Sequence, residues 1–404
     1  MKRVAIVLSS LLIVIAGFWI YSSFTYPTTS PINVISFFIQ SKQHPHKNME
    51  QQTVAFLPYW RMDDLKYARF DLLSGIIYFS LYADENGQFV KVVNNETDPG
   101  YRWWSSQVIK DLIAKTQING GKFSLTIAMQ KNKTLKSLLN NKNAQKKLIE
   151  NLLTEVESRH LDGINVDFEY DGEPEEGYQQ KFTGFAQDLT SSFKTNSPKT
   201  ELSIDFFPLS VREPRLFDIK KLSQLFDRIV VMSYDYYSST SDIAGPVAPM
   251  GGFKEQKYFF DIKTTYEDYL KFVPKEKLVM GVPYYGYDWA VENGQKIQSK
   301  TLPVSDPNNY AAVISYARAK ENKDLKQNQC QWDDFAKEKW CWYKDEKNIE
   351  HQVWIEDNKS IEEKFNFAKK NKFSGIAIWT LGYDKQYPDL WNLIEKIFVV
   401  KVKP

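Results

Sequence analysis

The sequence predicts an α/β chain folded as a (β/α)8 TIM barrel, with a small α+β insertion between strands seven and eight and an N-terminal membrane anchor ahead of it. Three observations carry this reading. Eight short apolar runs of strand composition lie between Thr53 and Thr380, longer amphipathic segments separate them, and the alternation persists to the C-terminus. A chain of 404 residues is long for one average domain, yet an α/β barrel takes most of such a length as a single unit. Hydrophobic residues at 43% and charged residues at 25% allow a large core and exclude a disordered or many-pass membrane chain. The pattern alone leaves a doubly wound open sheet as the alternative.

The strand candidates, in order, are Thr53 to Tyr59, Gly75 to Tyr82, Lys122 to Met129, Gly163 to Glu169, Glu201 to Pro208, Arg228 to Tyr234, Leu278 to Tyr284 and Gly375 to Thr380. Helical segments lie between them at Ala144 to Ser158, Gly177 to Thr195 and Ile361 to Lys370, the last with Ile361, Phe365 and Phe367 among charged positions. The rhythm breaks over residues 290–352, read as an insertion holding a helix at Tyr310 to Glu321 and a cysteine hairpin. Cys330 and Cys341 flank two short strands around a polar turn, which suits a disulfide, with two free thiols as the alternative. The four histidines, His44, His46, His160 and His351, are too scattered for a zinc site, so no metal or other cofactor is expected.

Ahead of the barrel, Met1-Lys2-Arg3 is basic and Val4 to Tyr21 is an uncharged run about long enough to span a bilayer. The bulky flank from Trp19 to Phe24 offers no small-residue cleavage site, so residues 1–21 read as a retained signal anchor. The body of the chain is then expected outside the cell membrane, or secreted if the segment is cleaved. Residues 22–51, polar apart from the patch Ile32 to Ile39, read as a linker that leads into the unit 52–404. The 52 basic and 50 acidic residues leave a formal charge of +2, which gives no electrostatic footprint for nucleic acid. A monomer is expected.

The fourth strand carries the chemistry. Side chains alternate across a strand, so Asn165, Asp167 and Glu169 share one face and Ile164, Val166 and Phe168 the other. Inside a barrel the apolar face meets the helices and the acids point to the centre. Buried acids are costly, and that points to function. Asp167 and Glu169 lie roughly 6 to 7 Å apart at Cα, close enough for repulsion and burial to keep a proton on one of them. Glu169, at the C-terminal end of the strand, is the expected general acid. A pair of acids on one strand does not by itself supply a partner on the opposite side of the bond to be broken.

Asp162-Gly-Ile-Asn-Val-Asp-Phe-Glu169 resembles the strand-four signature of glycoside hydrolase family 18, the chitinase-like barrels. Met232-Ser-Tyr234-Asp235 is similar to the family's strand-six motif, Gly281-Val-Pro-Tyr-Tyr-Gly286 to its strand-seven motif, and Gly375-Ile-Ala-Ile-Trp379 to its strand-eight segment. The resemblance implies a substrate-assisted mechanism, in which the substrate's own 2-acetamido oxygen attacks the anomeric carbon and gives an oxazolinium intermediate with net retention. It implies that Glu169 is acid and later base, that Asp167 orients the acetamido group, that Tyr234 hydrogen-bonds its oxygen with Asp235 assisting, and that Trp379 floors the sugar. Without the acids, Tyr234 and Trp379 would read equally well as core residues.

Asn165 stands where many family members have an acid. An amide hydrogen-bonds but takes no proton, so a shifted pH profile is expected. The same Asn, together with Tyr284 to Trp289 and Gln352 to Ile361, resembles the branch of bacterial spore-cortex and peptidoglycan glucosaminidases. Candidate sugar contacts near strand ends are Tyr59, Trp60, Met232, Tyr285 and Trp289, with Trp103 and Trp104 behind them. The expected activity is retaining cleavage of β-1,4 linkages in N-acetylglucosamine polymers, peptidoglycan ahead of chitin. A non-catalytic lectin on the same barrel is the alternative, and retention of both Asp167 and Glu169 argues against it.

Overall fold

The computed structural model describes residues 46–325 and 329–400. The expected anchor over residues 1–21 and most of the linker lie outside the described residues. Among the described residues, no helix is long and apolar enough to cross a membrane.

The strands in chain order are β1 (Gln52–Pro58), β2 (Gly75–Tyr82), β3 (Val92–Val93), β4 (Glu96–Thr97), β5 (Lys122–Met129), β6 (Gly163–Phe168), β7 (Glu201–Phe206), β8 (Arg228–Val231), β9 (Leu278–Pro283), β10 (Tyr285–Ala290), β11 (Ala311–Ser315), β12 (Cys330–Asp333), β13 (Glu338–Lys344), β14 (Glu350–Ile355) and β15 (Gly375–Trp379). Eight of them close in the order β1-β15-β9-β8-β7-β6-β5-β2. Every neighbouring pair is parallel. The sheet is therefore a closed barrel, and the open-sheet alternative falls. Each expected strand is present; β2 and β5 end where expected, and the other six end one to three residues early where the chain turns into a loop.

Helices form where caps and an apolar stripe coincide. Lys142–Arg159 starts on Asn141, whose side chain accepts from the N–H groups of Asn143 and Ala144, and ends at His160 in a left-handed conformation. Asn358–Asn371 starts on a capping box between Asp357 and Ser360. The outer face of β6 shows how strand and helix lock together. Phe168 stacks on Phe185 of helix Tyr178–Asn196 at 5.8 Å with ring planes 9° apart, and all three partners Phe168, Phe182 and Phe185 are buried. Each such ring contributes roughly 2 to 3 kcal/mol by burial.

The barrel interior is divided. Phe56, Ile77, Phe79, Val230, Val279 and Ala377 form an apolar half. Facing them, β5, β6 and β7 contribute Thr126, Asn165, Asp167, Ser203 and Asp205, all buried. This division places the polar chemistry against one wall.

The insertion is a five-stranded antiparallel sheet in the order β11-β10-β14-β13-β12 with one short helix, Tyr316–Glu321. It starts at Tyr285 rather than Ala290, because β10 leaves the barrel directly after β9. The helix expected over Tyr310 to Glu321 is a correction in its first half. Ala311-Ala-Val-Ile-Ser315 pairs with β10 as a strand, and Ser315 then caps the helix through the N–H of Arg318. The Cys330–Cys341 disulfide joins opposed residues of the β12–β13 hairpin.

Candidate active site

The inward direction of the acids follows from the outward direction of Ile164, Val166 and Phe168. Asp162 lies before β6 and accepts from the N–H of Phe123 at 2.8 Å and from Gln117 Nε2 at 2.9 Å. The motif's first acid is thus a tie between β6 and β5. Asn165 is fully buried. It donates to Asp205 Oδ2 at 2.7 Å and accepts from Ser203 Oγ at 2.6 Å.

Asp167 is 2% exposed, and its Oδ1 has no hydrogen-bond partner among the described residues. Burial first, then the charges of Glu169 and Asp205, push its carboxyl well above the usual range. Glu169 follows β6 and is half-buried, with Oε1 accepting from Gln130 Nε2 at 3.1 Å. Burial raises its carboxyl, the Gln130 hydrogen bond opposes this, and the charge of Asp235 adds to it. A proton is therefore retained on Glu169 to higher pH than on an ordinary glutamate, as a general acid requires.

The turn after β8 presents the next residues. Ser233 is fully buried and donates to Gly281 O at 2.8 Å, which pins the turn against β9. A Cβ on Gly281 would lie 2.6 Å from Val231 O and 3.0 Å from Tyr234 Cε1, so this glycine makes room for the tyrosine ring. Asp235 adopts a left-handed φ of 57°, which swings its carboxylate toward the insertion sheet. There its Oδ1 accepts from Tyr285 at 2.5 Å and from Tyr287 at 3.1 Å. Asp235 opens onto the cleft mouth, yet the surrounding protein raises its carboxyl against the opposing effect of the two phenols.

Trp379, the last residue of β15, forms the floor. Its ring lies 4.9 Å from Phe79, 5.6 Å from Phe56 and 6.5 Å from Tyr234, nearly parallel to the last at 25°. Asp167, Glu169, Tyr234, Asp235, Met232, Trp60 and Trp379 all line one cleft of about 300 Å³ at the C-terminal end of the barrel.

The remaining expected contacts sort themselves by burial. Trp60 is 49% exposed at the rim and leans edge-on against Tyr59 at 4.8 Å. Tyr59 thereby supports Trp60 and does not line the cleft. Tyr285 is buried and acts through Asp235. Trp289 is a correction. It is fully buried, its indole N–H donates to Ser238 O at 3.1 Å, and it has no face free for a sugar. Trp104 is likewise buried, with its indole N–H on Glu155.

The sequence reading missed Asp205, Gln130 and Tyr287. For Asp205 the signal was present. Ser203 and Asp205 alternate with Leu202, Ile204 and Phe206 on β7, the same parity that exposed the acids of β6.

Paired carboxyls at the end of one barrel strand, above an indole floor in an open cleft, define a barrel glycosidase. The description "Glycosyl hydrolases family 18" matches residues 33–384, and the chain belongs to that family. The cortical fragment-lytic enzyme of Bacillus anthracis is 26% identical over 345 residues, which are 82% of this chain and 69% of that one. Two solved structures share the fold. The spore cortex-lytic enzyme SleL of Bacillus megaterium has a TM-score of 0.66 at 22% identity, over 90% of this chain and 77% of its own. The group IV chitinase of Ostrinia furnacalis in complex with allosamidin has a TM-score of 0.72 at 17% identity, over 86% of this chain and 98% of its own.

Proposed function

We propose that this chain is a retaining β-1,4-N-acetylglucosaminidase that works by substrate assistance, with peptidoglycan its first substrate and chitin its second. One observation carries the reading: Asp167 and Glu169 occupy successive inward positions at the end of one strand, so both act from the same side of the sugar. With both carboxyls committed there, the nucleophile comes from the substrate. Glu169 gives its proton to the glycosidic oxygen as the bond to the anomeric carbon breaks. The acetamido oxygen of the same sugar forms the new bond to that carbon. Anionic Asp167 offsets the positive charge that develops on the acetamido group, and Tyr234 holds its oxygen. Glu169, now a carboxylate, takes a proton from water, which opens the ring and restores the acid. Peptidoglycan leads because the cortical fragment-lytic relative and Asn165 in the motif both favour that branch.

Release of reducing ends from peptidoglycan and from chitin oligosaccharides by the full chain tests this. Glu169→Gln is expected to lose about 10²- to 10⁴-fold in kcat. A thiazoline mimic of the oxazolinium is expected to inhibit. Turnover of plain glucose polymers would sink the mechanism, and sugar binding without turnover by the unaltered protein would make it a lectin. Membrane tethering by residues 1–21 belongs to the same proposal and rests on the apolar run alone. Finding the mature protein entirely outside the membrane fraction would refute it.

A further inference from the structure

Three carboxyls enter this cleft from two adjacent strands, and the mechanism above uses two. The third, Asp205, is 3% exposed on β7 and lines the cleft with Asp167 and Glu169. Its two oxygens differ. Oδ2 accepts from Asn165 Nδ2 at 2.7 Å, whereas Oδ1 is buried with no partner among the described residues. As the amide stands, Ser203 Oγ donates to Asn165 Oδ1 at 2.6 Å, which leaves the Nδ2 edge facing Asp205. Thr126 Oγ1, 3.3 Å from Asn165 Nδ2, completes this framework.

Three acids this close in a largely buried site do not all ionise together. Asn165 takes no proton. The groups facing Asp205 are Asp167 and Glu169 from the end of β6, Tyr234 and Asp235 from the turn after β8, and Tyr82 from the end of β2. Among them Glu169 must begin each cycle protonated and Asp167 must be the anion, so a second proton belongs on the third acid. Asp167 Oδ1 and Asp205 Oδ1 are both buried without a partner among the described residues, and with Asp167 the anion the proton falls to Asp205 Oδ1.

We propose that the cluster of Asp167, Glu169 and Asp205 carries two protons in the working state, one on Glu169 and one on Asp205 Oδ1, and that Asp205, braced by Asn165, is a positioning residue that keeps Asp167 the anion. This rests on the glycosidase reading for the role of Asp167. Burial and the charge of Glu169 raise Asp205 to about 8, and an ionised Asp205 would in turn push a proton back onto Asp167. Asp167 is raised as well, by burial and then by the charges of Glu169 and Asp205, so the two carboxyls compete for the proton. The protons belong to the cluster, so it titrates in coupled steps.

Two measurements on the full chain test the proposal. The first is the pH profile of kcat and KM on chitin oligosaccharides. Asp205→Asn is expected to move the descending limb of kcat upward by at least half a pH unit, with KM changed less than twofold. The exchange Asn165→Asp with Asp205→Asn puts a titrating carboxyl back and is expected to return the limb toward its original place. A limb that stays put in Asp205→Asn, or a loss of equal size at every pH with no recovery in the exchange variant, overturns the proposal and leaves Asp205 a packing residue. The second is carboxyl titration by ¹³C NMR, with Asp205→Asn assigning the signal. Asp205 is expected to be protonated at pH 7, and a signal already ionised at pH 6 overturns the proposal. This second measurement needs no turnover, so a protein inactive on every glycan would fail the glycosidase reading while the titration still judged Asp205.

Discussion

Tyr285 donates to Asp235 Oδ1 at 2.5 Å, across the boundary between the insertion sheet and the barrel. β10 leaves β9 without a linker, because Gly286 allows the sheet to close tightly. A Cβ there would lie 1.9 Å from Trp354 O. The insertion therefore acts on the cleft through a fixed phenol. Tyr285→Phe leaves Asp235 with only the longer bond from Tyr287 at 3.1 Å. Loss of a hydrogen bond to a charged group costs about 1.5 to 3 kcal/mol, so kcat/KM is expected to fall about 10- to 100-fold. A double-mutant cycle with Tyr287→Phe is expected to be non-additive, since both phenols serve one oxygen.

The charge of Asp235 is among the causes that raise Glu169. Removing it in Asp235→Asn lowers the pH at which Glu169 loses its proton. The alkaline limb of kcat is expected to move to lower pH, the opposite direction from Asp205→Asn. An unmoved or upward-moving limb would show that Asp235 does not act on the acid through its charge.

How much of this was legible in the sequence depends on distance along the chain. Strand parity within β6 is local, and it places Asn165, Asp167 and Glu169 on one inward face without reference to any tertiary contact. The same rule reaches Asp205, but only once β7 is known to lie beside β6, with Asn165 opposite Ser203. Trp289 failed for a related reason. An aromatic residue after a barrel strand suits a sugar subsite equally well as a core, and only the pairing of β10 with β11 and β14 decides that its ring is enclosed. The left-handed turn at Asp235, which aims the carboxylate at two tyrosines 50 and 52 residues away, has no local signal.

Asp384, 1% exposed in the turn after β15, is raised by burial to about 7. An unfolded aspartate titrates near 4. Between these values the native state binds the extra proton, so stability falls as pH rises through roughly 4 to 7. Asp384→Asn keeps the shape and removes the titration. It is expected to stabilise the fold at pH 8 by about 4 kcal/mol, read as a higher Tm, and to change little at pH 4. Thermal unfolding at the two pH values checks this, and an equal shift at both would assign the effect to packing.

Lys364 sits with Glu356 at 2.6 Å and Glu338 at 3.8 Å, all three fully buried. Glu338 accepts from the N–H groups of Val247 at 2.9 Å and Ala248 at 2.7 Å, and Tyr236 in turn donates its N–H to Val247 O. The loop that leaves Asp235 is thereby fastened to the insertion sheet by the buried carboxyl of Glu338. Burial, then the charge of Glu356, holds Glu338 well above the usual range, so the two acids keep one proton between them and Lys364 balances the remaining charge. Lys364→Met fits the space and leaves that charge unpaired, at a cost of about 3 to 5 kcal/mol. Adding Glu356→Gln removes the stranded charge and is expected to recover much of the stability. If the fastening also positions Asp235, Lys364→Met loses kcat at temperatures well below its Tm and the second substitution restores it in parallel. Recovery of Tm without recovery of kcat would confine the cluster to stability.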